Sequence, residues 1–114
     1  MYSLPKSLLL VASLSSVFFG GCKKSEPPPV KLTRGAELYG RMCAVCHGEK
    51  GEGYKADQAP RLAHPGFQAT ASNEHLREAI KNGRTATTMS AWSKDRGGPL
   101  SPEDIDEVIN FLRT

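Results

Sequence analysis

The sequence predicts a small all-α domain, with three main helices and long loops wrapped around a bound group. Three observations predict it. Apolar residues fall at helical spacing in three stretches, near Gly35 to Met42, Asn73 to Asn82 and Pro102 to Arg113. No stretch sustains the two-residue alternation of a strand, and no internal repeat is visible. The connecting stretches, Gly48 to Thr70 and Arg84 to Pro99, are long and rich in Gly, Pro and Ala, and loops of that length are unusual unless they serve a site.

The first helix gathers Leu38, Tyr39 and Met42 on one side. The second has Ser72 as its N-cap, Leu76 and Ile80 four residues apart, and Gly83 as its stop. The third is the clearest. Ser101 stands at the N-cap and Pro102 at the first helical position, where a missing N–H costs nothing. Glu103, Asp104, Asp106 and Glu107 place negative charge at the positive end of the helix dipole. Ile105, Val108, Ile109 and Leu112 then follow the i, i+3, i+4, i+7 pattern, and Arg113 closes the last turn. The folded part, 34–114, holds only seventeen large apolar side chains. Domains this small usually need a disulfide, a metal or a bound cofactor as a staple.

Composition narrows the function classes. The chain has 114 residues, 39% hydrophobic and 24% charged, ordinary for a soluble domain and too polar for a multi-span membrane protein. Its formal charge of +3 is spread among interleaved Lys, Arg, Asp and Glu, so nucleic-acid binding has no electrostatic footprint. A large enzyme with its own deep pocket does not fit this length.

The N-terminus reads as an export signal over residues 1–21. One lysine, Lys6, precedes an apolar run from Leu8 to Phe19, too short to span a bilayer comfortably. Phe19-Gly20-Gly21-Cys22 resembles the bacterial lipoprotein signal, with Phe19 where that signal usually carries Leu. The resemblance implies that Cys22 is lipidated and becomes the first mature residue; ordinary cleavage nearby, leaving a free thiol, is the alternative. Three cysteines in an exported chain leave one over if two are used elsewhere, which favours the lipid. Residues 22–33 then form a tether, in which Pro27, Pro28 and Pro29 favour an extended polyproline conformation.

Cys43-Ala44-Val45-Cys46-His47 is a C-x-x-C-H sequence, the attachment signature of c-type haem. Two thiols at this spacing reach the two vinyl groups on one porphyrin edge, and the following histidine is held where its imidazole can ligate iron. A thioredoxin-like redox pair would want a βαβ context, and a zinc site would want two further ligands at metal spacing. Met89 is the candidate for the opposite face: Met42 lies too close to Cys43 to cross over, whereas Met89 sits in a long loop. His64 and His75 remain the alternatives. Arg61, Arg84 and Trp92 could each donate to a haem propionate, although surface pairing or packing explains any one of them.

Residues 35–113 resemble a class I monohaem cytochrome c. The resemblance implies a small cytochrome c fold in which Gly35 and Tyr39 meet Phe111 on the C-terminal helix. It also implies a role for Ala59-Pro60-Arg61-Leu62: the Pro60 carbonyl accepts the second ring N–H of the haem histidine, and Leu62 packs on the porphyrin. Met89-Ser90-Ala91-Trp92 matches the distal Met-Pro-Ala-aromatic motif, with Ser90 in place of proline. The expected cofactor is one haem c, attached through Cys43 and Cys46 and ligated by His47 and Met89, with Trp92 against it or its edge. The expected function is periplasmic electron transfer by Fe(III)/Fe(II) cycling, in a lipid-anchored monomer that docks transiently with redox partner proteins at an exposed haem edge. The alternative is a haem subunit, or a sensor-like or peroxidase-like module with a labile distal ligand, in a larger oxidoreductase complex.

Overall fold

The computed structural model describes residues 31–114. The export signal, Cys22 and the tether as far as residue 30 lie outside the described residues. Those described form α1 (Arg34–Met42), α2 (Ala44–His47), α3 (Pro65–Thr70), α4 (Asn73–Asn82), a 3₁₀ turn at Lys94–Arg96, and α5 (Pro102–Leu112). Among them there is no strand, only an isolated bridge between Ser93 and Leu100. No described helix is long and apolar enough to cross a membrane. The three expected helices are present. Two short helices are additional: α2, within the C-x-x-C-H motif, and α3, within the 48–70 stretch expected to be a loop.

Each long helix begins where a side chain can satisfy its first free amides. Thr33 Oγ1 accepts the Ala36 N–H at 3.2 Å, and Ser72 Oγ accepts the His75 N–H at 3.0 Å. At α5, Ser101 Oγ accepts the Asp104 N–H at 3.1 Å while Asp104 reaches back to the Ser101 N–H at 3.3 Å, a reciprocal capping box. Asp104 also pairs with Arg34 at 2.9 Å, tying the first turns of α1 and α5 together.

The apolar faces of α1, α4 and α5 meet in one core of Leu38, Leu76, Ile80, Ile105, Val108 and Ile109, closed by Leu100 from the loop before α5. α1 and α5 cross at Gly35, where a Cβ would overlap the Glu107 carbonyl oxygen. Beside this crossing Tyr39 and Phe111 stack with ring centroids 5.3 Å apart and planes tilted by 48°, the meeting that the family resemblance implies. A second small cluster of Tyr39, Ala44 and Leu62 lies under α2.

Arg113 does more than end α5. Its guanidinium donates to the Gln68 carbonyl and to Gln68 Oε1, both at 2.9 Å, to Asn73 Oδ1 at 2.9 Å, and to the Ala71 carbonyl. It therefore clamps the α3–α4 junction to the C-terminus. The other end of α4 is held by the chain that follows it. The Trp92 and Ser93 amides donate to the Ile80 and Lys81 carbonyls, at 3.0 and 3.4 Å, and the Leu100 amide to the Trp92 carbonyl at 2.9 Å.

Candidate functional site

α1 turns directly into α2 through Cys43, whose amide still bonds the Tyr39 carbonyl at 2.8 Å and whose own carbonyl accepts from the Cys46 and His47 amides at 3.2 and 2.9 Å. Cys46 and His47 thus stand three and four residues after Cys43 on helical backbone, so the two thiols and the imidazole share one face. Both thiols are free and half-buried. Burial, followed by the neighbouring Cys46, pushes the Cys43 thiol up to about 11, so it keeps its proton at neutral pH. A nucleophilic redox pair needs the opposite shift.

His47 is buried, and its Nδ1 lies 3.2 Å from the Pro60 carbonyl oxygen. A carbonyl only accepts, so Nδ1 carries the proton and donates, which leaves the Nε2 lone pair for a metal. The loop supplying Pro60 is fixed at several points. The Gly53 amide donates to the His47 carbonyl at 2.7 Å, the Ala63 amide to the Gly51 carbonyl at 3.0 Å, and Gln68 Nε2 to the Leu62 carbonyl at 2.6 Å. The Tyr39 hydroxyl donates to the Gly48 carbonyl at 2.7 Å. Desolvation, followed by Cys43 and Glu52, raises that phenol to about 12, so it remains a donor.

The opposite wall comes from the segment after α4. Gly83 has φ +67, and a Cβ there would stand 2.6 Å from the Met89 carbonyl oxygen, so helix end and loop touch through backbone alone. The Arg84 amide donates to the Met89 carbonyl at 3.0 Å, closing a tight loop. Ala86, inside it, takes φ +60, a conformation that costs a residue with a Cβ about 1–2 kcal/mol.

Between the two walls lies a cavity of about 420 Å³, within the ~300–1,000 Å³ of small-molecule sites. Cys43, Cys46, His47, Pro60 and Leu62 line it together with Met89 and Trp92, and with Leu76 and Ile80 of α4. All seven expected site residues in the described part therefore face the same space; Cys22 lies outside it. His75 and Arg84 also line this cavity, whereas His64 serves as the N-cap of α3, its Nδ1 accepting the Gly66 amide at 3.1 Å. Arg61 is not among the lining residues. The sequence reasoning missed Phe67, from α3, and Thr87, beside Met89, which both line it as well.

The donor set fits an iron porphyrin. Two thiols, an imidazole whose Nδ1 donates to a carbonyl, and a thioether line one cavity, and the apolar side chains among them would cover a flat macrocycle. A zinc reading finds no support: among the described residues no three His, Cys, Asp or Glu side chains converge on a point.

Comparison with known proteins agrees with this geometry. Residues 30–112 match the family described as "Cytochrome C oxidase, cbb3-type, subunit III". The chain is 29% identical over 113 residues to the cbb3-type cytochrome c oxidase subunit FixP of Azorhizobium caulinodans, covering 95% of this chain and 36% of that one. It thus spans about a third of that curated relative. Among solved structures it is similar to the KustC0563 c-type cytochrome, with TM-score 0.61 and 27% identity over 69% of this chain and 93% of that one. It is also similar to part of the dihydro-heme d1 dehydrogenase NirN, with TM-score 0.60 and 28% identity, covering 72% of this chain and 16% of that one.

Proposed function

The chain belongs to the cytochrome c oxidase, cbb3-type, subunit III family, and from that membership we propose that it is a periplasmic electron-transfer protein whose covalent haem c is held by Cys43 and Cys46 and ligated by His47 and Met89. The observation that carries this reading is that the C-x-x-C-H residues and Met89 line the same cavity. Bound there, the group supplies one-electron chemistry, its iron alternating between Fe(III) and Fe(II).

The chain's own residues set the conditions for that chemistry. Pro60 holds the His47 proton on Nδ1 and so fixes ring orientation and basicity. Leu62, Leu76, Ile80 and Trp92 line the cavity and would exclude water from a macrocycle there, and Met89 would hold its iron as the second protein ligand. With His47 and Met89 both as ligands no position would remain for a substrate, which favours electron transfer over catalysis. Val45, 73% exposed inside the motif, leaves the attachment edge open to a docking partner. Docking is weak and transient, since a carrier must leave.

The test is a redox titration of the holoprotein followed by visible spectroscopy. A reversible one-electron curve, with no carbon monoxide binding by the reduced parent, supports a six-coordinate carrier. Rapid carbon monoxide binding by the parent counts against it and favours a sensor-like or peroxidase-like module. A second reading is a fixed subunit of a larger oxidase, favoured by the match of 95% of this chain to FixP; stoichiometric copurification with other subunits would establish it. The membrane attachment in this proposal is the lipid on Cys22. Replacement by serine should release the protein from membrane fractions or block its processing, and an unmodified thiol at the mature N-terminus would refute the anchor. Stable anchoring needs more than one acyl chain, at about 0.8 kcal/mol per buried CH₂.

A further inference from the structure

Ser90 stands where the class I cytochrome c motif that Met89-Ser90-Ala91-Trp92 resembles carries proline, so the loop lacks the backbone restraint that a proline ring supplies. We propose that Thr87 replaces that restraint and is the positioning residue for the Met89 side chain; the inference rests on the reading of Met89 as the distal ligand. Thr87 Oγ1 accepts the Met89 N–H at 3.2 Å and donates to the Arg84 carbonyl at 2.7 Å. The Thr87 amide reaches the same carbonyl at 3.2 Å, and the Arg84 amide returns to the Met89 carbonyl at 3.0 Å. One hydroxyl therefore ties both ends of the Arg84–Met89 loop, and the residue whose side chain must point into the cavity is bonded through its own N–H and its own C=O.

The neighbouring alternatives do less. Thr88 and Ser90 line the same cavity, yet neither side chain bonds another described group. The Ser90 amide donates to no described acceptor, so proline could be restored there without breaking a bond. Thr87 is exposed, and water competes for its partners. The whole effect is therefore bounded by an ordinary net hydrogen bond, about a tenfold change in the population of the open, unligated loop.

The test uses holoprotein with three readouts: the rate of carbon monoxide binding to the reduced form, the midpoint potential and the thermal midpoint. Thr87→Val keeps the branched shape and removes both side-chain bonds. It should speed carbon monoxide binding by up to about tenfold and lower the potential, while Thr87→Ser stays at the parent values. Ser90→Pro should suppress the Thr87→Val effect and change little in the threonine background, because two restraints on one loop are not additive. Fully additive effects of the two substitutions would overturn the proposal. So would a Thr87→Val protein with parental binding rate and potential, when Met89→Ala opens the site. A Met89→Ala protein indistinguishable from the parent would instead overturn the ligand reading itself. Thr87→Ala is the second variant should the valine disturb the turn, and the same outcomes decide.

Discussion

The two sides of the cavity differ in how their functional atoms are fixed. Cys43, Cys46 and His47 are positioned by helical spacing, which is local and therefore legible in five consecutive letters. Met89 is positioned by a loop whose partners come from Gly83, Arg84 and Thr87. Its identity could be reached by eliminating the other methionines, but Thr87 could not: an exposed threonine in a polar stretch gives no signal until the chain closes around it. Met89→Ala should keep the haem attached, bind carbon monoxide readily when reduced, and show a lower potential. Parental spectra would direct attention to His75, which lines the same cavity, and away from His64, which is engaged at the start of α3. Asp104 yields an acid-side prediction. The Arg34 guanidinium, followed by the Ser101 amide, holds its carboxyl below the ordinary 3.8. A folded-state value below the unfolded one stabilises the protein above the unfolded pKa, and that contribution is lost as pH falls through the folded value. Asp104→Asn should therefore melt below the parent at neutral pH, and the gap should close as pH drops below 3.8.

Among the elements, α5 was fully readable because N-cap, first-turn proline, acidic first turn and apolar stripe all agree. The reach of Asp104 back to Ser101, its pairing with Arg34 and the Arg113 clamp depend on the folded chain and leave no local pattern. α2 and α3 are not legible in the sequence, for opposite reasons. α2 has four residues, too few for any periodicity, and its helical form follows from continuing α1. α3 has a single large apolar residue, Phe67, and depends on bonds from Gln68 to Leu62 and from Arg113 to Gln68. Two glycines of α1 separate propensity from packing. Gly40→Ala meets nothing within 4 Å and should raise stability by up to about 1 kcal/mol from helix propensity. Gly35→Ala gains the same propensity but collides with the Glu107 backbone. Overpacking costs about 1–3 kcal/mol, so the net effect should be a lower thermal midpoint. Chemical denaturation of both variants checks the pair of signs.

For the whole molecule, the main core and the cavity adjoin: Leu76, Ile80 and Val108 belong to the core and also line the cavity. Met89 and Trp92, both only half-buried, line the cavity and would gain cover from a cofactor bound there. Thioethers at Cys43 and Cys46, with axial bonds from His47 and Met89, would close a loop of more than forty residues. By analogy with a disulfide, that closure is worth ~3–4 kcal/mol, a large share of the ~5–15 kcal/mol that holds a domain together. A Cys43→Ala, Cys46→Ala double mutant made without haem should show weak helical circular dichroism and little cooperative melting. A sharp, native-like transition would mean that the protein core suffices.

The bonds from Trp92 and Ser93 to the last carbonyls of α4 have a kinetic consequence. A helix end ordinarily frays alone, because water can take its final carbonyls. Here those carbonyls are held by the loop carrying Met89, so the helix end and the loop form one opening unit. Solvent deuterium should enter the Trp92 amide and the last turn of α4 at a single shared rate. The emission of Trp92, the only tryptophan in the chain, should report that same event.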